Sequence, residues 1–402
     1  MPFAGEFEKV EIVSLLERAR NAPTAAVRET LGRGRLTLAD FACLISPAGR
    51  EFLDELCARS QAVTQKRFGK VIRLFAPLYV SNECVNICKY CGFSRDNPIL
   101  RVTLSVEEVC REAAALHEQG FRSLLLVAGE HPKFVAPRYL TECVQALRPD
   151  FPAISLEVGP LEVEDYLPLA AAGAEGLVVY QETYDKRAYA EVHTAGPKRD
   201  FGWRLETPER AYAAGFRRLG IGALFGLADW RFEALAVAAH ALYLLRHCWK
   251  AQLTISLPRL RPCAGDFQPM TTISDAELVQ LVCALRLLLP DAGLVLSTRE
   301  APRLRDGLIP IGITLMSAGS HTEPGGYTGA GTENVHRTER GRIVAVASSE
   351  WAPDHAATAA TAQFEISDDR SPEAIATVIR RVGYEPVWKD WDASLNFAGA
   401  PA

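Results

Sequence analysis

The sequence predicts an α/β protein built on a closed, TIM-type (β/α)8 parallel barrel, and three observations lead there. Eight apolar, β-branched runs recur along the chain, amphipathic helical stretches separate them, and the rhythm lasts about 250 residues. Before the barrel, residues 1–70 read as an N-terminal helical extension of short helices, of which LDELCARSQAVTQKRFG (53–69) is the plainest. The runs then follow in order: VIRLFAPLYV, FRSLLLVAGE, AISLEVGP, GLVVYQET, RRLGIGAL, QLTISLP, GLVLSTRE and IPIGITLMSAG. Between them, SVEEVCREAAALHEQG and ISDAELVQLVCALRLLLP carry helical period, with Ser105 and Ser274 as N-caps and Gly120 as a stop.

A barrel of this kind builds its site from the loops at the C-terminal ends of the strands. The predicted strand ends are polar or glycine-bearing: Tyr79 with Ser81 and Asn82, Gly129 with Glu130, Glu157, Gln181 with Glu182, Gly222, Arg259, Thr298 with Arg299, and Ser317. Strands become polar simply by reaching water, which accounts for some of these. It accounts less well for carboxylates and arginines that recur at the exits. The barrel is assigned to 71–327, and the rhythm stops there. Residues 328–363 are rich in Gly, Ala, Thr and Ser and read as a surface loop or partly disordered insert. Residues 364–402 hold a last helix, SPEAIATVIRRVG, and an aromatic tail, YEPVWKDWD, that packs on the barrel.

Composition narrows the function. The 402 residues are 48% hydrophobic and 23% charged, which allows a well-buried core. No run approaches the roughly 20 apolar residues of a membrane span, and the N-terminus has no signal-peptide core, so a cytoplasmic protein is expected. The net charge of -5 with interspersed signs offers no basic stripe for nucleic acid, leaving a small molecule as the expected partner.

Of ten cysteines, six (Cys43, Cys57, Cys110, Cys143, Cys248, Cys283) stand alone in helical segments and read as small buried hydrophobes; Cys263 follows a strand and is given the same reading. SNECVNICKYCGF (81–93) is different, with Cys84, Cys88 and Cys91 inside eight positions. A Cys-x-x-Cys redox pair leaves Cys84 unexplained. Structural zinc needs a fourth ligand, for which Cys110 and His117 are the nearest candidates. A [4Fe-4S] cluster held by three thiolates leaves one iron free for a small molecule.

The pattern Cys84-x3-Cys88-x2-Cys91, with Tyr90 before the last cysteine, resembles the radical S-adenosylmethionine (SAM) superfamily. The wording PLYVSNECVNICKYCGFSR resembles its aromatic amino acid lyases, and LLLVAGEHP, VYQETYDKRAY, WRLETPERAYAAGFRRLGIGALFGL, SLPRLRPC, LSTRE, PGGY and PVWKDWD extend the likeness over nearly the whole chain. The insert is longer than the family leads one to expect. A sister lyase that makes carbon monoxide and cyanide for a hydrogenase cofactor carries extra C-terminal cysteines; here none follows Cys283, which disfavours it.

The resemblance implies a [4Fe-4S] cluster on Cys84, Cys88 and Cys91, with SAM on the open iron. It implies that Tyr90, Gly129 and Glu130 lie at SAM, Gly129 and Glu130 near its methionine amine. Glu182 and Arg204 resemble a SAM-binding pair, an internal salt bridge being the plainer alternative. Gly222 and Gly226 would let backbone approach the adenosyl group, or simply make a tight turn. Tyr79, Arg299 and Ser317 resemble residues that hold the substrate amine and carboxylate. His131 is either a proton carrier or structural, and Trp388 with Trp391 either closes the mouth or docks the tail.

The implied reaction is cleavage of the Cα–Cβ bond of L-tyrosine to 2-iminoacetate (dehydroglycine) and p-cresol, with 5'-deoxyadenosine and methionine as co-products, for the thiazole moiety of thiamine. A flavodoxin or ferredoxin would donate electrons, and a thiazole synthase would take the imine. The competing readings are a related lyase acting on tryptophan or giving another product from tyrosine, and a noncatalytic iron-sulfur electron carrier or zinc scaffold.

Overall fold

The computed structural model describes residues 2–339, 342–346 and 360–388. Eight parallel strands form a closed ring: β1 (Val71–Ser81), β2 (Ser123–Ala128), β3 (Ala153–Glu157), β4 (Gly176–Val178), β5 (Arg218–Gly222), β6 (Gln252–Ser256), β7 (Gly293–Leu296) and β8 (Leu315–Ser317). Each pairs with the next, and β8 returns to β1 in the register Arg73↔Leu315, Leu74↔Met316, Phe75↔Ser317. The eighth run forms strand only over its last third, because Ile309 and Gly312 still belong to the helical turn that ends Pro302–Leu308.

The strands form where branched and apolar residues can be buried from both sides, and β1 passes from alternating to continuous burial as it nears its exit. Helices stop and start by local chemistry. The Ser105 hydroxyl accepts from the Glu108 amide at 3.2 Å while Glu108 accepts from the Ser105 amide at 2.7 Å, so helix Val106–Glu118 opens on a capping box. Ser274 and Glu277 do the same for Asp275–Leu288. Gly120, at φ 101°, turns the chain out of the first of these helices.

Six short helices, from Phe3–Phe7 to Leu53–Phe68, cover one flank of the ring and pack on helices Trp230–His247 and Asp275–Leu288. Phe3 lies flat on His240, 4.1 Å between ring centroids. Among the described residues no helix is long and apolar enough to cross a membrane.

Two regions depart from expectation. The described part of 328–363 is more than surface loop: His336–Glu339 (β9) pairs antiparallel with Arg342–Ala345 (β10), and residues 360–363 run across the open end of the barrel. The described part of the aromatic tail, residues 384–388, lies away from the mouth. Glu385–Val387 (β11) adds in parallel to Val71–Arg73 at the opposite end of β1, and Trp388 packs edge-on against Phe121 at 5.2 Å. Trp391 lies outside the described residues.

Candidate active site

The loop after β1 carries the three cysteines and is clamped from within by one side chain. Arg101, fully buried, donates to the carbonyls of Asn82 (2.7 Å), Phe93 (3.2 Å) and Ser94 (2.8 Å), holding both limbs of the loop together. Ile87–Cys88 also pairs with His193–Ala195, and Glu83 meets His336 at 2.6 Å. Gly129, at the β2 exit, has no room for a Cβ, which would fall against the Glu83 carbonyl oxygen and Cys84. The loop therefore sits directly on the second strand.

Cys84, Cys88 and Cys91 line one cavity at the mouth, together with Gly129, Glu130, Glu182 and Arg204. All three thiols are free. Cys110 and His117, the fourth ligands that zinc would need, do not line it; His117 packs on Phe151. Among the described residues no three His, Cys, Asp or Glu side chains converge tightly enough for a single metal ion. Three soft sulfur donors spread around one cavity fit a larger iron-sulfur group, whose thiolates bind different irons. Burial pushes the Cys88 thiol up, and Cys91 to about 11, with Lys198 pulling both the other way, so these sulfurs become thiolates only when a metal displaces the proton.

Asn86 organises the wall beside them. Its Nδ2 lies 2.7 Å from Glu130 Oε2 and 3.7 Å from Cys84 Sγ, and its Oδ1 accepts from the Lys198 amide at 2.9 Å. Lys198 then reaches Glu182 at 2.7 Å, with Arg204 at 3.6 Å from the same oxygen. Burial would raise the Glu182 carboxyl, but the two cations outweigh it and hold it down at about 2. Glu182 is also the only non-glycine described residue with positive φ, 71°, a conformation that costs about 1–3 kcal/mol and often marks functional loops. Arg204 Nε donates to the Tyr180 carbonyl at 2.8 Å.

A second cavity adjoins the first and shares Val127 and Glu157 with it. Tyr79, Arg299 and Ser317 line it, beside the apolar Phe75, Pro77, Leu125 and Val295. Burial, then repulsion from Glu182, raises the Glu157 carboxyl to about 7 despite Arg299, Arg204 and Lys198. Among the described residues the Arg299 guanidinium makes no hydrogen bond or ion pair; it lies over the Phe364 ring, 3.3 Å from the centroid. Ser317 Oγ accepts from the Thr298 amide at 3.2 Å.

Other sequence candidates fall outside these cavities. Tyr90 is buried with its hydroxyl 2.7 Å from His193 Nε2 and lines neither. Gly222 lines neither; a Cβ would strike the Ser256 carbonyl, so strand packing explains this glycine. Gly226, at φ 126°, makes a turn. His131 Nδ1 accepts from the amides of Lys133 and Phe134 and is structural. Arg259 is taken by Glu300 and Asp275. The sequence reading missed Lys198, Asn86 and Gln363; PKRD offered only a charged turn, and Gln363 sits in a stretch without period.

The sequence profile described as "Radical SAM superfamily" matches residues 78–238, and that described as "Biotin and Thiamin Synthesis associated domain" matches 256–385. The 2-iminoacetate synthase of Escherichia coli (strain K12) is 43% identical over 380 residues, 94% of each chain. That of Salmonella typhimurium (strain LT2) is 40% identical over 397 residues, 98% of each. Among solved structures, HydG, a maturase of the [FeFe]-hydrogenase, superimposes with a TM-score of 0.82 at 32% identity over 94% of this chain and 79% of that one.

Proposed function

Because the chain belongs to the 2-iminoacetate synthase family of radical SAM enzymes, we propose that it cleaves L-tyrosine between Cα and Cβ to 2-iminoacetate and p-cresol, for the thiazole of thiamine. The observation that carries this reading is the junction of the two cavities at Val127 and Glu157: three free thiols face one, and an arginine with no carboxylate partner among the described residues faces the other. The cysteine-lined site and the proposed amino-acid site thus share a wall.

In this reading Cys84, Cys88 and Cys91 hold a [4Fe-4S] cluster, and Glu130, Glu182, Lys198 and Arg204 hold SAM, Lys198 and Arg204 facing its carboxylate and Glu182 its ribose or ammonium. When bound, cluster and SAM supply one-electron cleavage to methionine and a hydrogen-abstracting deoxyadenosyl radical. The chain supplies orientation. Arg299 presents a planar fork to the substrate carboxylate, with Ser317 beside it, and Tyr79 faces the amine, which must face the first cavity for its hydrogen to be taken. Leu125, Val127 and Phe75 give the aromatic ring an apolar wall and keep out the water that would quench a radical or hydrolyse an imine. A flavodoxin or ferredoxin supplies the electron, and a thiazole-forming synthase consumes the imine.

Anaerobic reconstitution with SAM, a strong reductant and either tyrosine or tryptophan tests the reading. p-Cresol from tyrosine, with 5'-deoxyadenosine, is the expected product. Its absence while tryptophan is consumed would move the chain to the tryptophan lyases, and failure to cleave SAM at all with an intact cluster would make it an electron carrier.

A further inference from the structure

Residues 360–368 form a strap that leaves the insert and crosses the open end of the barrel. Its backbone is pinned to four loops. Thr361 N donates to Leu100 O at 3.2 Å and Gly92 N donates to Gln363 O at 3.1 Å, both in the cysteine loop. Gln363 N donates to Thr322 O (2.8 Å) after β8, Glu365 N to Pro262 O (2.8 Å) after β6, and Ser367 N to Thr298 O (2.9 Å) after β7. Gly92 must be glycine for this, because a Cβ would run into the Gln363 and Ala362 carbonyls.

Two adjacent side chains of the strap reach the site, Gln363 lining the first cavity and Phe364 the second. The Tyr79 hydroxyl donates to Gln363 Oε1 at 2.8 Å, while Gln363 Nε2 lies 3.8 Å from Cys91 Sγ, so one amide spans from the cysteine loop to Tyr79. Phe364 lies under the Arg299 guanidinium. The other strand-exit arginine, Arg259, is neutralised by carboxylates, as is Arg305 by Asp368. Arg299 instead rests on a ring face, which holds the plane of the guanidinium and leaves its N–H edge uncommitted. An acid at position 364 would compete with a substrate carboxylate; a phenylalanine cannot.

We propose that Gln363 and Phe364 are the positioning pair that fixes the head of the α-amino-acid substrate, Gln363 by aiming Tyr79 at the amine and Phe364 by aiming Arg299 at the carboxylate. This rests on the reading of Arg299 and Tyr79 given above. It makes the strap a specificity element for free amino acids, since a decarboxylated amine, or a tyrosine whose carboxyl is tied up in an amide, offers Arg299 no carboxylate to grip.

The test uses full-length, anaerobically reconstituted protein and has four readouts: iron per chain, equilibrium binding of tyrosine and of tyramine without reductant, KM for tyrosine, and p-cresol formed per 5'-deoxyadenosine. Phe364→Leu is expected to keep its iron and to bind tyrosine about 10-fold more weakly, the scale of a desolvated cation–π contact, with little change for tyramine. KM rises accordingly, and Phe364→Tyr, which keeps a ring face, restores binding. Gln363→Leu is expected to keep tyrosine binding within a few-fold but to form less p-cresol per 5'-deoxyadenosine, because the amine is no longer aimed. Iron lost equally from Phe364→Leu and Phe364→Tyr would make the strap structural only and overturn the proposal. So would tyrosine affinity and coupling unchanged in both Leu variants. Wild-type protein that binds no tyrosine would instead overturn the underlying reading of the site, and this proposal with it.

Discussion

Cys88 is the most deeply buried of the three site thiols and pairs through its backbone with His193. Cys88→Ala is therefore expected to abolish the brown [4Fe-4S] absorbance and all SAM cleavage; a variant that keeps both would show the cysteine assignment to be wrong. Lys198 is a second residue-scale test. It stands 2.7 Å from a carboxylate whose side chain is only 11% exposed, so Lys198→Met leaves Glu182 with only the more distant Arg204. SAM affinity should fall roughly 10-fold or more, the scale of losing one member of a buried charge pair, in equilibrium binding to the reconstituted protein. Residue types were legible where chemistry is rare: three cysteines in eight positions point to a metal by themselves. Lys198 and Gln363 were not legible. A lysine in a charged turn and a glutamine in an aperiodic stretch acquire meaning only from what folding sets beside them.

At the scale of elements, the joint between the cysteine loop and β2 is tight enough to test. Gly129→Ala would push Glu83, and with it the cysteine loop, off the β2 exit, and the expected result is a folded barrel with sharply reduced iron incorporation, read as iron per chain beside an unchanged circular dichroism spectrum. The N-terminal extension offers a pH test. His240, buried beneath Phe3, is held down to about 3 by burial, against about 6.5 when unfolded. A histidine whose folded value is depressed contributes its full stability above pH 6.5 and loses it as pH falls toward 3. Between pH 6.5 and 5 that loss approaches about 2 kcal/mol. His240→Leu should shrink the pH-dependent loss by that amount in urea unfolding at the two values; equal losses in both proteins would rule this group out. The helices here were readable because their caps are local: Ser105 with Glu108 and Ser274 with Glu277 announce themselves three residues apart. The strap and the hairpin β9–β10 were not, since the strap is held by backbone bonds to loops as far away as Gly92 and the hairpin is anchored through His336 to Arg101, and such pairing leaves no period in the sequence.

At the scale of the molecule, the ring and the strap are joined by one buried ion pair. Arg305, on the helix after β7, meets Asp368 with both side chains wholly inaccessible, and Arg370 shares the same carboxylate. Asp368→Ala strands a buried guanidinium, and a loss of about 3–5 kcal/mol in unfolding free energy is expected. Arg305→Met with Asp368→Leu should recover much of it, and a double variant no better than the single one would locate the stability elsewhere. The barrel was foreseeable because eight branched runs of even spacing admit few other solutions. The placement of β11 was not, because EPV is too short to declare itself a strand and owes its conformation to the exposed edge of Val71–Arg73.

That small strand has a bearing on how the protein is made. Translation delivers β1 long before the strap that roofs the site, and its own partner at 385–387 later still, 314 residues after Val71. Until both of these later segments have left the ribosomal tunnel, nascent chains can assemble neither the floor nor the roof of the barrel. A cluster inserted before residue 360 has emerged would stand in a vessel without its roof.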